Sequence, residues 1–202
     1  PSSSTVNILI RSAITTSGPA NVTVCSGAQP TLSVTPSGGT GAYTYQWQNK
    51  AGNCSGTFNN IIGATNSTYQ TNQLLADSSY RVIVYDANDP CTPVTSSCAT
   101  VTVMADPTVT SSSQNQSICK GGSTTFSVTA SGGTPTLNYQ WQYNNGGSWG
   151  SVSDGTPVGV SYSGMTGTTL TVNTNNSTVS SGTLEYRVLV SATGLDCQTA
   201  TS

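Results

Sequence analysis

Two stretches of this 202-residue chain repeat each other in a single register. Val24-Cys25-Ser26-Gly27 returns as Ile118-Cys119-Lys120-Gly121, Ser37-Gly38-Gly39-Thr40 as Ser131-Gly132-Gly133-Thr134, and Tyr45-Gln46-Trp47-Gln48 as Tyr139-Gln140-Trp141-Gln142, each 94 residues on. Further along, Tyr80-Arg81-Val82-Ile83-Val84 returns as Tyr186-Arg187-Val188-Leu189-Val190, and Cys91 as Cys197, now 106 residues on. Self-similarity at one period marks two copies of one folding unit. The second copy therefore carries twelve extra residues between its Trp and its Tyr-Arg-Val segment. The Gly- and Ser-rich stretch Asn144 to Gly164 is where they are expected, as a longer loop or hairpin.

Within each copy the apolar residues alternate. Thr31-Leu32-Ser33-Val34, Thr125-Phe126-Ser127-Val128 and Tyr43 to Gln48 each read polar–apolar, the period of a strand with one buried face. Helix formers are scarce: Glu185 is the single glutamate and Lys50 and Lys120 the two lysines. Thr100 to Met104 reads as the strand that closes the first copy, and Ala105-Asp106-Pro107 as a linker. About seven short strands per copy predict a two-layer sandwich. The fold class expected is all-β, two tandem β-sandwich domains.

Several function classes drop out on composition. A net charge of −2 without a basic cluster gives nucleic acid nothing to hold. No apolar run approaches the roughly 20 residues of a membrane span; the longest, Val6 to Ile10, is one strand long. With no histidine, neither a Ser-His-Asp nor a Cys-His arrangement can be assembled, and the seven carboxylates are scattered through turns. No enzyme activity and no cofactor are expected. Six cysteines without any C-x-x-C pair point to disulfides rather than metal. Disulfides imply an oxidising compartment, so a secreted or surface-displayed protein is expected.

A Cys, then a strand Trp, then a Tyr-x-Val-x-Val strand with a second Cys nearby resembles the immunoglobulin superfamily. That resemblance implies that Trp47 and Trp141 pack in the cores and that Tyr80 and Tyr186 are corner tyrosines of the sixth strand. The second Cys departs from the pattern, lying beyond that strand in a loop, so the bridge is expected to tie strand ends together. More narrowly, Cys-x-Gly, then Ser-Gly-Gly-Thr-Gly-Ala-Tyr-Thr-Tyr-Gln-Trp-Gln, then Tyr-Arg-Val, is similar to repeats in giant surface adhesins of Bacteroidota, including SprB-like gliding-motility adhesins. Polycystic-kidney-disease-like domains share the Gly-Gly-Thr-to-Trp approach but continue into an Asp-Phe-Gly-Asp segment missing here. The resemblance implies a cell-surface filament or stalk.

The repeat also prunes the cysteine pairings. The second copy holds only Cys119 and Cys197, counterparts of Cys25 and Cys91. The expected bridges are Cys25–Cys91, Cys119–Cys197, and Cys54–Cys98 as a staple private to the first domain. The domains are expected at 13–105 and 106–202. Residues 1–12 read as the last strand of a preceding repeat, or as a donor strand, because Ser4 to Ile10 matches Ala99 to Ala105 at an offset of 95. Val6, Ile8 and Ile10 are its apolar face. Ser202 corresponds to position 96, so the second domain stops short of its own last strand. Neighbouring copies or repeats, end to end, are thus the expected partners, with the missing strand supplied across the junction.

Two weaker sites remain. Asp86-Ala87-Asn88-Asp89 has the oxygen spacing of a calcium loop, but its counterpart in the second copy lacks it, and an Asx-rich turn is the simpler reading of Asp86 and Asp89. Trp149, Tyr143 and Tyr162 lie in or beside the inserted segment and offer a candidate surface for glycan or protein ligands. The expected function is a structural and adhesive repeat. The alternatives are a binding module using loops of the second domain, or an accessory domain of a secreted hydrolase.

Overall fold

The computed structural model describes residues 6–88, 92–133, 136–175, 182–192 and 197–202. It divides into two compact units, Pro1–Val103 and Met104–Ser202. Every regular element among the described residues is a strand.

In the first unit the polar–apolar segments become β1 (Val22–Cys25), β2 (Thr31–Ser33), β3 (Tyr43–Ala51), β4 (Asn59–Asn60), β5 (Thr68–Gln70), β6 (Ser78–Asp86), β7 (Val94–Thr95) and β8 (Ala99–Met104). One sheet runs β1-β8-β6-β3-β4, with β7 also on β6, and the other pairs β2 with β5. Alternate residues of the facing strands meet between the layers: Leu32, Val34, Trp47, Tyr80, Val82, Val84 and Val101 are all buried. Trp47 is 0% exposed. Its indole N–H would be costly to bury unbonded, and it donates to the Asn66 carbonyl at 2.8 Å.

The repeated Ser-Gly-Gly-Thr has a steric cause. Gly38 and Gly39 hold φ of +85° and +59°, a region that L side chains rarely adopt. The incoming chain also crosses there, with Gly39 N–H donating to the Ser12 carbonyl at 2.8 Å. A Cβ on Gly38 would strike the Ala13 carbonyl oxygen. In the second copy Gly133 N–H donates to the Ala105 carbonyl, also at 2.8 Å. A Cβ on Gly132 would meet the Asp106 carbonyl oxygen. This turn therefore marks, in each unit, the pole at which the chain comes in, called here the near pole.

The second unit consists of β9 (Thr108–Ser112), β10 (Ser123–Ser131), β11 (Leu137–Asn145), β12 (Ser148–Ser151), β13 (Ser161–Ser163), β14 (Thr169–Asn173), β15 (Tyr186–Ala192) and β16 (Ala200–Thr201). Its sheets run β12-β11-β15-β16 and β13-β14-β10-β9. Trp141 repeats the role of Trp47, donating to the Gly167 carbonyl at 2.9 Å.

Hydrogen bonds locate the insertion. Ile61 N–H and Val152 N–H each donate to the carbonyl of their Trp, and each Trp N–H donates onward, to Ala64 in one copy and Met165 in the other. Ala64 comes three positions after Ile61, whereas Met165 comes thirteen after Val152. Part of the insert forms β13, which extends the sheet edge at β14.

Candidate functional site

The two units differ most along the seventh strand. In the first, Ser96 N–H donates to the Val82 carbonyl at 2.9 Å, and its hydroxyl accepts from Val82 N–H at 3.0 Å. The chain then continues as β8 beside the start of β6, pairing Ala99 with Tyr80 and Val101 with Ser78. Ala99 and Val101 are completely buried. On its other side β8 meets β1. Ser97 hydroxyl donates to the Ser17 carbonyl, and Thr100 N–H donates to Asn21 Oδ1 at 2.8 Å. These contacts advance in the same direction along both segments, so β1 and β8 run parallel.

The second unit reproduces this arrangement only as far as Ser202. Ser202 N–H donates to the Val188 carbonyl at 3.2 Å, and its hydroxyl accepts from Val188 N–H at 3.0 Å. Beside Leu184 and Tyr186, where the counterpart of β8 belongs, no strand lies among the described residues. Residues 116–119, counterparts of β1, form no strand either and are exposed. Between these two segments opens a cleft of about 310 Å³, lined in part by Gln116, Ile118, Phe126, Val172, Leu184 and Tyr186. Ile118 is 42% exposed. An apolar floor between two backbone edges that carry no strand partner among the described residues has the form of a groove for an extended segment.

Residues 6–10 place Val6, Ile8 and Ile10 at alternate positions, with polar Asn7 and apolar Leu9 between them. Val6 and Ile8 are 88% and 87% exposed, Ile10 is as open, and none of them lies in a strand.

The cysteines correct one expectation. Cys54 and Cys98 are bonded, with Cα atoms 6.0 Å apart. Cys25 and Cys197 are each in a disulfide, and Cys91 lies outside the described residues. Cys119 is free and exposed, so the expected Cys119–Cys197 bridge is absent. The cause is polarity within the second unit. Cys119 sits in the turn before β10, where its carbonyl accepts from Gly122 N–H at 2.9 Å. Cys197 follows the end of β15, beside the near pole, where Ala192 meets the Gly132–Gly133 turn. Nine residues of β10 separate these poles, roughly 25–30 Å at the usual strand rise. A disulfide needs Cα atoms within about 7 Å.

The aromatic candidates also sit differently from a loop platform. Trp149 lies on β12 opposite Asn144, and the Arg187 guanidinium stacks 4.4 Å from its ring centre. Arg187 Nε donates to Gln142 Oε1 at 2.8 Å. The first unit contains the same assembly: Arg81 stacks 4.3 Å from the Phe58 ring and donates to Gln48 at 2.7 Å. Trp149 is thus part of the shared pattern, counterpart to Phe58, and its face is covered by a cation. This pairing escaped the sequence reading because the hairpins differ in length; the Gln after each Trp and the Arg after each Tyr were its visible signal. Tyr162 is buried, 8% exposed, with its hydroxyl 3.1 Å from that of Tyr186 and donating to the Thr156 carbonyl at 2.9 Å. Burial, then the Tyr186 contact, push its phenol far above the ordinary value. Tyr143 packs against Tyr186 with ring centres 5.9 Å apart. Tyr80 and Tyr186 both lie on the sixth strands, stacked on Tyr69 and Phe126.

Asp86 closes the near pole of the first unit. Its carboxylate accepts from Thr40 N–H at 2.6 Å, from the Thr40 hydroxyl and from Asn88 N–H at 3.1 Å. The Thr40 hydroxyl, above all, lowers its pKa. Asp89, the other calcium candidate, lies outside the described residues. Among the described residues no group of three or more His, Cys, Asp or Glu is placed to hold a metal, and no helix is long and apolar enough to cross a membrane.

Residues 13–105 match the model of a domain of unknown function (DUF8696), which spans less than half the chain. No curated protein matches by sequence. Solved structures match over nearly the whole length. A three-domain immunoglobulin segment of titin, in an E-to-A variant, aligns at TM-score 0.56 and 12% identity over 93% of this chain and 63% of that one. Three N-terminal domains of the highly immunogenic outer capsid protein of bacteriophage RB49 align at TM-score 0.56 and 14% identity, over 94% and 66%. Immunoglobulin domains 1–4 of Sidekick-1 align at 0.50 and 13%, over 98% and 48%. The chain is a tandem of immunoglobulin-like sandwiches. It spans less than two thirds of each of those chains, and at such identities the likeness establishes the immunoglobulin-like fold alone.

Proposed function

We propose that this tandem is a non-enzymatic, extracellular structural and adhesive repeat, which builds a cell-surface filament by end-to-end addition. The observation that carries the reading is the cleft beside Leu184 and Tyr186: the second sandwich accepts a β8-type strand from the next unit along the filament. Residues 6–10 of a neighbouring copy have the pattern and the exposure to supply it. The Cys54–Cys98 bridge supports an oxidising location, and the repeat motifs resemble those of giant Bacteroidota surface adhesins.

A synthetic peptide of residues 1–12 tests this directly. It raises the melting temperature of the second sandwich saturably and protects the amides of residues 116–119 and 184–186 from exchange. The same peptide with Val6 and Ile8 replaced by Asp does neither. Equal behaviour of the two peptides overturns the proposal. Denaturing electrophoresis of native filaments then distinguishes the source of the strand. Units of about the chain's own 20.6 kDa identify donation between subunits, and one very large band identifies a continuous array.

A further inference from the structure

We propose that Thr183 sets the register of the incoming strand, its hydroxyl accepting the main-chain N–H of Ile8 from a neighbouring copy of this chain; this rests on the strand-addition reading above. Apolar pattern alone leaves the register open. Val6, Ile8 and Ile10 share one face, so a slip of two residues presents the same kind of side chain to the cleft, and Leu9 blunts the contrast against a slip of one. Something other than side-chain polarity has to choose between these alignments.

The first sandwich shows such a choice made. There β8 fills the place of the incoming strand, and two side-chain acceptors beside it take its N–H groups. Asp77, just before β6, accepts from Val103 N–H at 2.7 Å through Oδ1. Asn21, just before β1, accepts from Thr100 N–H at 2.8 Å. With these bonds made, Val101 stands opposite Ser78 and is completely buried, and Val103 packs against the same core. The 106-residue offset puts Thr183 at the place of Asp77 and Leu184 at that of Ser78, and the 94-residue offset puts Asn115 at that of Asn21. Thr183 and Leu184 both line the cleft. The 95-residue offset makes Val6 and Ile8 the equivalents of Val101 and Val103. Carried over, these equivalences set residues 6–10 antiparallel to 184–186, with Val6 opposite Leu184 and Ile8 N–H on the Thr183 hydroxyl. A threonine hydroxyl offers two lone pairs, so it replaces the carboxylate as an acceptor without bringing a charge to the rim.

The test is a double-mutant cycle on the intact chain, with the synthetic peptide of residues 1–12 as probe and calorimetry as readout. Thr183 is exposed and outside every strand, so Thr183→Val leaves the sandwich folded. Replacing the Ile8 N–H by an ester oxygen weakens binding to the native chain roughly 3- to 10-fold, the worth of one hydrogen bond. Thr183→Val weakens the unmodified peptide by a similar factor, and the Ile8 ester then costs nothing more. Thr183→Asp, which copies the first sandwich, restores the discrimination against that ester. Esters at Val6 or Ile10 show no such coupling to Thr183. If the Ile8 ester and Thr183→Val effects simply multiply, or if Thr183 couples to position 6 or 10 instead, this inference fails and strand addition stands. A peptide that does not bind the native chain at all defeats both.

Discussion

Arg187 illustrates how a single side chain ties a hairpin to a sheet. Its guanidinium covers Trp149 while its Nε holds Gln142, so β12 is anchored to β15 through side chains as well as through β11. Replacing it with Ala removes a cation–π contact and a charged hydrogen bond, each about 1 kcal/mol at half-buried sites. Arg187→Ala should lower the unfolding free energy of the second sandwich, read from its denaturant curve, by about 1–2 kcal/mol and alter Trp149 fluorescence, while the first sandwich unfolds unchanged. Asp86 gives a pH signature. Its folded pKa lies below the unfolded value, held there chiefly by the Thr40 hydroxyl. The stabilisation is therefore complete above the ordinary carboxylate pKa of about 3.9 and is lost as pH falls through the lower, folded value. Acid melting curves should show this limb, and Asp86→Asn should flatten it. At this scale the sequence was informative where a residue type has one common role. Two tryptophans at one repeat position, alternating with Gln, are core residues because no other placement satisfies their area. It was uninformative where the role depends on the pole: equal offsets relate Cys119 to Cys25 and Cys197 to Cys91, but say nothing of which end of the strand each one faces.

At the level of strands and loops, the units differ by what was added to a shared frame. The first has the Cys54–Cys98 staple, spanning 44 residues. A loop of that length is worth about 4 kcal/mol in the chain-entropy model. The double Cys-to-Ser variant at 54 and 98 should lose up to that amount, read from denaturant unfolding of the first sandwich. The second has β13 instead, which brings Tyr162 into the core against Tyr186. Burial raises its phenol pKa, so its contribution is complete below about pH 10 and lost as pH rises beyond it. Tyr162→Phe should weaken the alkaline limb in thermal melts of the second sandwich, leaving the part due to Tyr186, whose phenol burial also raises. The insertion could be counted from the offsets, but not its form. Gly and Ser richness suggested a loop, whereas Ser161, Tyr162 and Ser163 alternate over too short a run to stand out as a strand without the edge of β14 to pair with.

For the molecule as a whole, the contrast between β8 and the cleft sets the expected dynamics. Amides at 22–25 and 78–80 lie in the β1–β8–β6 sheet, and among the described residues no strand lies between their counterparts at 116–119 and 184–186. Hydrogen exchange should be slow at the first set and fast at the second in the isolated chain, by orders of magnitude. Comparable protection at both would mean that the cleft is closed in solution. The sequence aligned Ser202 with Ser96, but did not show the volume or lining of the cleft beside Leu184 and Tyr186.

The proposed strand addition also bears on growth. In the proposed filament the groove and the segment that fits it are different surfaces, so open-ended addition is heterologous, unlike a closed pair in which two copies exchange their segments about a two-fold axis. In such a filament each addition would consume one groove and present another, giving the thread a direction and two chemically distinct tips. A short strand mimic would therefore arrest elongation at one tip and leave the other able to grow.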